Sequence, residues 1–564
     1  MQDREWGDGE MARVVSVGTQ DFGQLISNDC FYVDKTMLIK EWWESRDSVT
    51  MITRPRRFGK TLNMSMLEHF FSYGYRGRGD LFQGLSIWEE EKYRNLQGTY
   101  PVLNLSFANV KESTYDTVVY RICEIVREMY ELNYDLLESP VLTEVEKEEF
   151  KRLSAHMSVQ DAPAALRNLS KYMYRHYGKK VIILLDEYDT PMQEAFIHGF
   201  WDKLVSFTRS LFNSTFKTNP FMERAIMTGI TRVSKESIFS DLNNLKVITT
   251  TSSAYSECFG FTEKEVFRAM DEFGIPNKEE VRKWYDGFTF GESHDIYNPW
   301  SIINLLDTGK LKTYWANSSS NSLVGNLLRQ GSKDIKMQFE QLLSGESIES
   351  KVDEEIIYNQ LEKNENAVWS LLLASGYLKV RAVCGDIYQL VLTNYEVKKM
   401  FERMVENWFD EDAGDYNDFI KALLRGDVKA MNAYMNEIAI SMFSSFDGGN
   451  RPSRGASPER FYHGFVLGLL VDLAGRYVVT SNRESGFGRY DVMLEPLGQE
   501  DDGIILEFKI HDQEDEADLK ATVQAALAQI EDKRYEQILL DHGVEKERIR
   551  KYGFAFEGKK VLIG

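Results

Sequence analysis

Cysteine, proline and long apolar runs are all scarce in this sequence of 564 residues. Its four cysteines lie far apart and form no CxxC pair, which excludes a disulfide framework and favours a reducing cytoplasm. With only 11 prolines and 43% hydrophobic residues, a long disordered or fibrous chain is also excluded. The longest apolar stretch, Phe465 to Val479, is interrupted by Asp472 and Arg476, and no run reaches the roughly 18–20 residues that span a bilayer. We therefore expect no membrane partner.

Basic residues are also in deficit, since 67 Lys and Arg oppose 88 Asp and Glu. The formal net charge of −21 argues against general adhesion to nucleic acid, although it leaves room for a local basic site. The segment from Met1 to Glu10 carries four acids and no apolar core, which is not the pattern of a signal peptide. The length predicts several domains, and an oligomer is compatible with the sequence but not indicated by it.

Short apolar runs alternate with helical patterns over residues 1–240. This alternation predicts an α/β domain with a mostly parallel sheet covered on both faces. The predicted strands are Ser48–Thr53, Tyr100–Phe107, Val181–Leu185 and Glu223–Ile230. Residues 241–400 are predicted to be mainly helical, and Thr262 with Glu265 has the spacing of a capping box.

The last third of the chain divides into a helical connector and a second α/β domain. Residues 401–450 are predicted to be helical, and a linker follows at Gly448–Gly455. Residues 451–564 open with a helical pattern and continue with strands and one further helix. The predicted elements are strands near Tyr477–Thr480, Arg489–Leu494, Gly503–Ile510 and Lys560–Ile563, and a helix near Leu519–Ile530.

A phosphate-binding loop is indicated after the first predicted strand. In Met51-Ile-Thr-Arg-Pro-Arg-Arg-Phe-Gly-Lys-Thr61 a strand leads into a helix, where backbone N–H groups and the helix dipole converge on an anion. Lys60 would reach the β- and γ-phosphates of ATP, and Thr61 would ligate Mg²⁺. The motif is degenerate, because Arg54 stands where G-x-x-x-x-G-K-[ST] has its first glycine, and a solvated basic turn is the alternative. The residues predicted to contact the nucleotide are Arg57, Phe58, Gly59, Lys60, Thr61 and Leu62.

A second part of the same site is indicated by Val181-Ile-Ile-Leu-Leu-Asp-Glu187, an apolar strand that ends in two acids. Asp186 would hold Mg²⁺ through water, and Glu187 would polarise the water that attacks ATP. The alternative is that these acids only cap the next helix. Arg232, in Thr228-Gly-Ile-Thr-Arg232, is a candidate sensor of the γ-phosphate, with a surface arginine as the alternative.

Several motifs together resemble the AAA-ATPase-like family, many members of which carry a C-terminal PD-(D/E)XK nuclease domain. They are Tyr32–Thr36, Arg54–Thr61, Leu185–Asp189, Ser237–Leu245 and Trp284–Phe288. The resemblance extends over nearly the whole chain, and the RPRRFGKT form of the loop is typical of the family. It implies a P-loop ATPase domain in residues 1–240, a helical lid with a winged-helix-like region in residues 241–400, and ATP as the ligand.

A candidate metal site in the C-terminal domain consists of Asp491, Glu507 and Lys509. In the strand Ile504–Ile510, alternation places Glu507 and Lys509 on one face and Phe508 on the other. Asp491 and Glu507 would hold Mg²⁺ or Mn²⁺, and Lys509 would orient or deprotonate water, which is the chemistry of metal-assisted phosphodiester cleavage. The alternative is a salt bridge between strands on a solvated face.

This arrangement resembles the PD-(D/E)XK core of restriction-endonuclease-like domains, with Tyr490 in place of the nominal proline. The flanking sequences that also resemble this domain are Arg460–Gly464, Glu484–Arg489, Gln529–Ile530, Lys533 and Tyr535. Glu459 or Glu484 would add a carboxylate to the metal, and His463 is more consistent with packing than with catalysis.

The charge distribution suggests where DNA would approach. Residues 451–490 carry six basic and three acidic residues, whereas residues 491–518 carry one basic and eleven acidic residues. DNA is therefore expected on the basic side, and the acidic run Asp512–Asp518 is expected to be a solvated loop.

Three functions remain open at this stage. The favoured one is an ATPase fused to a metal-dependent nuclease, with the nucleotide state controlling cleavage of DNA. The second is a nucleotide-switched protein whose nuclease-like domain binds nucleic acid or protein without cleavage. The third is an ATP-dependent regulator without a nucleic-acid partner. Retention of all three residues Asp491, Glu507 and Lys509 favours the first, whereas the overall acidity keeps the third open.

Overall fold

The structure is a computed structural model, and it divides into two compact units. The N-terminal unit comprises Met1–Leu327 and Ser347–Met400, and the C-terminal unit comprises Leu328–Glu346 and Phe401–Gly564. The residues that the structure describes are 13–232, 238–239, 242–315, 322–353, 361, 364–410, 413–442, 466, 470, 473, 476–481, 484–485, 488–489, 491–498, 501–512, 516–557 and 560–564.

A five-stranded parallel sheet forms the centre of the N-terminal unit, in the order β2-β3-β4-β1-β5. Its strands are β1 (Val49–Thr53), β2 (Val102–Ser106), β3 (Val181–Asp186), β4 (Met222–Gly229) and β5 (Leu245–Ile248). Every residue of β1 and β3 is buried, because helices cover both faces of the sheet. The first four strands confirm the predicted parallel sheet, and the fifth lies beyond residue 240, where the sequence predicts a helical lid.

Helices connect these strands and supply most of the surrounding core. They are α1 (Phe22–Ser27), α2 (Met37–Ser45), α3 (Lys60–Phe71), α4 (Ser86–Glu89), α5 (Glu91–Arg94), α6 (Tyr115–Leu132), α7 (Glu144–Ala155), α8 (Ala162–Tyr177), α9 (Thr190–Ile197) and α10 (Trp201–Phe212). Helix α6 shows why they pack on the sheet, since its buried residues recur every three or four positions, from Val118 to Tyr130.

The middle of the chain contains helices and, in its described part, six short strands. The helices are α11 (Glu263–Glu272), α12 (Lys278–Tyr285), α13 (Pro299–Thr308), α14 (Ser322–Gln330), α15 (Lys333–Leu343) and α16 (Glu365–Ala374). The strands are β6 (Phe261–Thr262), β7 (Phe288–Phe290), β8 (Ser293–Tyr297), β9 (Ile348–Ser350), β10 (Leu378–Cys384) and β11 (Ile387–Leu392).

Helical residues predominate in the described part of this region, and these short strands are the elements that the residue pattern does not predict. They form two antiparallel sheets, β6-β8-β7 and β10-β11-β9, and the winged-helix-like region stays a prediction. Strands of two to seven residues are too short for their alternation to stand out from the helical pattern around them. The capping box of α11 is confirmed, since Thr262 and Glu265 exchange hydrogen bonds.

A five-stranded mixed sheet, β12-β15-β16-β17-β18, forms the centre of the C-terminal unit. Only the pair β16–β17 is parallel within this sheet. The strands of the unit are β12 (Tyr477–Ser481), β13 (Glu484–Ser485), β14 (Gly488–Arg489), β15 (Val492–Pro496), β16 (Gly503–Ile510), β17 (Ile549–Glu557) and β18 (Lys560–Ile563). Its helices include α18 (Ala413–Arg425), α19 (Val428–Met442), α20 (Leu519–Asp532) and α21 (Glu536–Asp541), and α17 (Tyr395–Asp410) precedes them.

Helices cover both faces of this mixed sheet. On one face, residues of α18 and α19 share a core with Phe508 and Phe554. On the other face, Met493 and Ile505 pack with residues of α20 and α21. The two helices that the sequence assigns to a connector therefore contribute to the core of the C-terminal domain. The predicted linker Gly448–Gly455 lies outside the described residues, and no described helix has both the length and the apolar character of a membrane span.

Candidate functional sites

The phosphate-binding loop connects the end of β1 to the start of α3. Two residues of this loop have left-handed backbone, Arg57 with φ 65° and Gly59 with φ 79°. In the described parts of the chain, no acceptor binds the amide groups of residues 57–60. Free amides at the start of a helix, where its dipole is positive, form a site for an anion. The loop therefore has the backbone arrangement that phosphate binding requires.

Lys60 connects this loop to the end of β3. Its side chain is buried, and Nζ donates hydrogen bonds to the carbonyl oxygens of Arg54 and Pro55, each at 3.1 Å. Nζ also lies 3.3 Å from Oε1 of Glu187, with which it forms an ion pair. The ammonium group is thus held at the inner side of the loop, facing the acid that follows β3.

Asp186, at the end of β3, is hydrogen-bonded both to the start of α3 and to β4. Thr61 Oγ1 donates to Asp186 Oδ2 at 2.6 Å, and Thr228 Oγ1 donates to Asp186 Oδ1. The amide of Glu187, a residue with φ 53°, donates to Thr228 Oγ1 at 3.3 Å. Because β1, β3 and β4 are parallel, their carboxyl ends meet at one edge of the sheet and bring these side chains together.

The acids at this edge outnumber the cation that faces them. Burial and the neighbouring Glu187 raise the pKa of Asp186, and the same two causes raise the pKa of Asp189. Lys60 opposes both shifts. A cluster of buried carboxyl groups with an adjacent threonine hydroxyl supplies the hard oxygen ligands that Mg²⁺ prefers. These residues therefore fit a magnesium ion that accompanies a bound nucleotide.

The other predicted nucleotide contacts lie around this centre. The guanidinium carbon of Arg57 lies 4.2 Å from the centroid of the Trp300 ring, and Phe58 is buried against Phe288 at a centroid distance of 4.8 Å. These two side chains point into the middle region, so only their amides remain candidates for binding phosphate. Leu62 is half-buried on α3, and Arg232 is half-buried three residues after the end of β4.

Sequence reasoning missed two contributors to this site. Thr228 links Asp186 to the amide of Glu187, and Asp189 Oδ2 accepts from the amides of Ile230 and Thr231 at 2.9 and 2.8 Å. Both belong to motifs that the sequence singles out for other residues. A polar residue inside an apolar strand, as Thr228 is in β4, was the available signal.

In the C-terminal unit, the strand register places Asp491 opposite Glu507. Strands β15 and β16 are antiparallel and pair Val492 with Leu506. Asp491, which precedes Val492, therefore lies beside Glu507, which follows Leu506. Asp491 Oδ2 accepts a hydrogen bond from the amide of Phe508 at 2.8 Å. The two predicted carboxylates therefore come together where β15 begins.

Glu507 lies between the sheet and α20. It is 2% exposed, and its Oε1 accepts a hydrogen bond from Gln529 Nε2. Tyr535 lies close to these groups, because it forms a hydrogen bond with Gln529 and its pKa responds to the charges of Glu507 and Asp491. Burial and these two charges raise the pKa of Tyr535, and the hydrogen bond with Gln529 lowers it. The sequence resemblance points to Gln529 and Tyr535 without assigning them a role, and the structure brings both to the acids.

Lys509 shares the strand face of Glu507, two residues further along β16, and is half-buried. Phe508 points to the opposite face, where it packs against Phe554 at a centroid distance of 5.1 Å. The close approach of α20 to this part of the sheet depends on Gly553, the partner of Glu507 on β17, because a Cβ there would lie 2.7 Å from the carbonyl oxygen of Val523.

Two carboxylates, with water and a phosphate oxygen, fit the way in which Mg²⁺ is bound in phosphate-processing sites. Within the described residues there is no group of three or more His, Cys, Asp or Glu side chains that would hold a metal by themselves. Glu459, His463 and Tyr490 lie outside the described residues, and Glu484 begins the two-residue strand β13.

Comparison with known proteins finds a family match for two parts of the chain. Residues 16–239 match the AAA-ATPase-like family, described as a predicted AAA-ATPase, and residues 457–564 match the PD-(D/E)XK nuclease superfamily. A relative from Azotobacter chroococcum mcd 1, described as an uncharacterized protein in the vnfD 5′ region, is 25% identical over 390 residues, which cover 68% of each chain. The chain therefore contains an AAA-ATPase-like domain followed by a domain of the PD-(D/E)XK nuclease superfamily.

Proposed function

We propose that the N-terminal domain binds and hydrolyses ATP with Mg²⁺, and that the C-terminal domain is a metal-dependent nuclease that cleaves DNA in the cytoplasm. The observation that carries the first half is the convergence of Lys60, Thr61, Asp186 and Glu187 at one edge of the parallel sheet. The observation that carries the second half is the placement of Asp491 opposite Glu507, with Lys509 on the same strand face.

In the ATPase domain each residue has a separate task. The amides of residues 57–60 and the ammonium of Lys60 bind the phosphates, for which Lys60 exchanges its present carbonyl partners. Thr61 and Asp186 hold the magnesium ion, directly or through water. Glu187 orients the attacking water and takes its proton, because its carboxylate lies beside Lys60 at the γ-phosphate end of the site.

In the nuclease domain, Asp491 and Glu507 hold the metal, with Gln529 fixing the carboxylate of Glu507. A divalent ion bound there supplies Lewis acidity and lowers the pKa of a bound water. Lys509 orients this water and offsets the negative charge that develops on the phosphate. Incubation of the purified protein with plasmid, linear and single-stranded DNA, with Mg²⁺ or Mn²⁺ and with or without ATP, tests for this activity.

The ATP-binding half is tested by titrating the protein with a fluorescent ATP analogue in the presence of Mg²⁺. Lys60→Ala should weaken binding roughly tenfold or more, since a hydrogen bond to a charged group contributes about 1.5–3 kcal/mol. Glu187→Gln should keep the affinity and abolish most of the hydrolysis, because it changes the proton acceptor and not the phosphate contacts.

Lys246→Ala is the matched control for this titration, because Lys246 lies on β5 of the same sheet and pairs with Asp47 at 2.9 Å. It should leave nucleotide affinity unchanged. Equal affinities of wild type and Lys60→Ala would show that the loop does not bind the phosphates. Hydrolysis by Glu187→Gln at the wild-type rate would remove Glu187 from the mechanism.

A further inference from the structure

Arg54 occupies the position in the phosphate-binding loop where the common motif has its first glycine, and its side chain is entirely buried. The backbone of Arg54 does not have a positive φ, unlike that of Arg57 and Gly59 in the same loop. A side chain at position 54 therefore imposes no backbone strain on the loop. The backbone of Arg54 also belongs to the site, since its amide donates to the carbonyl of Gly229 at 3.1 Å and its own carbonyl accepts from Lys60.

The guanidinium group of Arg54 contacts the segment that follows β5 and the strand β7. One of its terminal nitrogens donates to the carbonyl oxygens of Thr53 and Thr249, at 3.0 and 2.6 Å. Its carbon lies 4.3 Å from the centroid of the Phe290 ring, which belongs to β7. These contacts join the end of β1 to the segment that follows β5 and to the middle region. The first residue of the loop is thus held in place by its own side chain.

The hydrogen-bond acceptors of Arg54 are neutral carbonyl oxygens, and the carboxylate of Glu41 acts on it as a charge. Burial lowers the pKa of Arg54 to about 10, so the guanidinium remains protonated at neutral pH. Glu41, whose charge acts on it, is itself engaged by the amide of Tyr255 at 2.7 Å and by Cys258 Sγ at 3.4 Å. A cation in such a dry position attracts an anion more strongly than a cation in water does.

We propose that Arg54 is a positioning residue for the phosphates of the bound nucleotide. It fixes the loop to the segment after β5 and to β7, and it adds a buried positive charge to that of Lys60. In this view the arginine compensates for the degenerate motif and is not a defect in it. The inference rests on the proposed binding of ATP, and it extends that proposal to a residue that does not touch the ligand.

The test is a titration of four proteins with a fluorescent ATP analogue and Mg²⁺, with the melting temperature of each measured in parallel. Arg54→Gly restores the common spacing, yet it should bind ATP roughly tenfold more weakly, the size expected for one charge lost from a partly dry site. Arg54→Met keeps most of the volume without the charge and should lose a similar factor. Arg54→Lys keeps the charge and should recover most of the affinity.

Arg224 offers a matched control for the loss of a buried arginine. Its guanidinium also donates to two carbonyl oxygens, those of Trp42 and Trp43 at 2.8 and 3.0 Å, and lies 4.2 Å from the centroid of the Trp43 ring. It belongs to the beginning of β4, at the edge of the sheet opposite to the loop. Arg224→Met should therefore lower the melting temperature and leave the ATP affinity unchanged.

The outcomes separate this inference from the proposal on which it rests. A wild type that binds no nucleotide would overturn both. A wild type that binds ATP, together with an Arg54→Gly variant that binds as tightly or more tightly, would overturn the role of Arg54 alone. If Arg54→Gly does not fold, the Met and Lys variants decide, and equal affinities of these two would overturn the contribution of the charge.

Discussion

Asp286 is the partly buried residue that directly follows helix α12, and its titration makes the free energy of unfolding depend on pH. Its Oδ1 is buried, and no hydrogen-bond partner for this atom lies among the described residues. Burial and the charges of Asp295 and Glu263 raise the pKa of Asp286 from 3.8 to about 6, whereas the amide of Gly287 and the charge of Lys379 oppose the shift. The folded chain therefore holds this proton more tightly than the unfolded chain does.

The free energy of unfolding should consequently fall as the pH rises from about 4 to about 6, since in this window the folded state binds more protons than the unfolded state. Asp286→Asn keeps the shape and removes the titration. It should be more stable than wild type above pH 6 and differ little from it near pH 4. Chemical denaturation across this range measures the effect, which solvent screening at a partly exposed group reduces.

The exposed Asp307 in the same region provides the control, and Asp307→Asn should keep the pH dependence of wild type. If Asp286→Asn shows the same slope as wild type between pH 4 and 6, the titration of Asp286 is not its source.

At the residue scale, the sequence predicts which side chains carry chemistry better than it predicts how they are supported. Lys60, Thr61, Asp186 and Glu187 follow from a strand that leads into a glycine–lysine helix start and a strand that ends in acids. The contacts of Arg54 could not be predicted, because its acceptor Thr249 lies 195 residues away. A short motif records local spacing and contains no information about such distant partners.

At the scale of elements, the sequence predicts most strands of the two five-stranded sheets, whether fully buried, as β3 is, or partly exposed, as β2 and β18 are. Strands β3 and β16 are nearly continuous apolar runs, whereas β17, the parallel neighbour of β16, is missed. Near its start, β17 carries two charged residues that form ion pairs. Arg550 pairs with Asp502, and Lys551 pairs with Glu531. A half-buried strand whose charges are paired has no clear alternation of polar and apolar residues.

Two asparagines one turn apart on α19 protect an edge of the C-terminal sheet. Asn432 exchanges two hydrogen bonds with the backbone of Ile563, at 2.8 and 2.9 Å, and Asn436 exchanges two with the backbone of Val561, at 2.7 and 3.0 Å. Their side-chain amides thus occupy the place of a further strand beside β18. Such a cover prevents an exposed edge from pairing with another chain.

Asn436→Asp should therefore destabilise the C-terminal unit by about 1–3 kcal/mol, because the carboxylate no longer donates to the carbonyl of Val561 and leaves it unsatisfied. Thermal unfolding of the full chain is the measurement. Glu437→Gln, at the next and exposed position of α19, is the control and should unfold like wild type. Identical melting curves for Asn436→Asp and wild type would contradict the role of this pair.

At the scale of the whole molecule, the sequence predicts two α/β domains, and the structure contains two sheets of five strands that belong to different units. Boundaries were harder to predict than domains. Strand β5 joins the parallel sheet from beyond residue 240, and α18 and α19 pack on the C-terminal sheet from before residue 451. Both assignments depend on contacts between residues that are distant in sequence, which a local pattern does not contain.

The central claim is that the chain is a nuclease whose metal is held by Asp491 and Glu507, and DNA cleavage in Mg²⁺ tests it most directly. Wild type should cut, and Glu507→Gln should lose at least about a hundredfold in rate, because it removes a metal-binding charge. Glu536→Gln, which removes an acid that pairs with Lys551 in the same domain, is the control and should keep the rate. Cleavage by Glu507→Gln at the wild-type rate, at equal melting temperatures, would contradict the account, as would a wild type that binds DNA without cutting it in Mg²⁺ or Mn²⁺, with or without ATP.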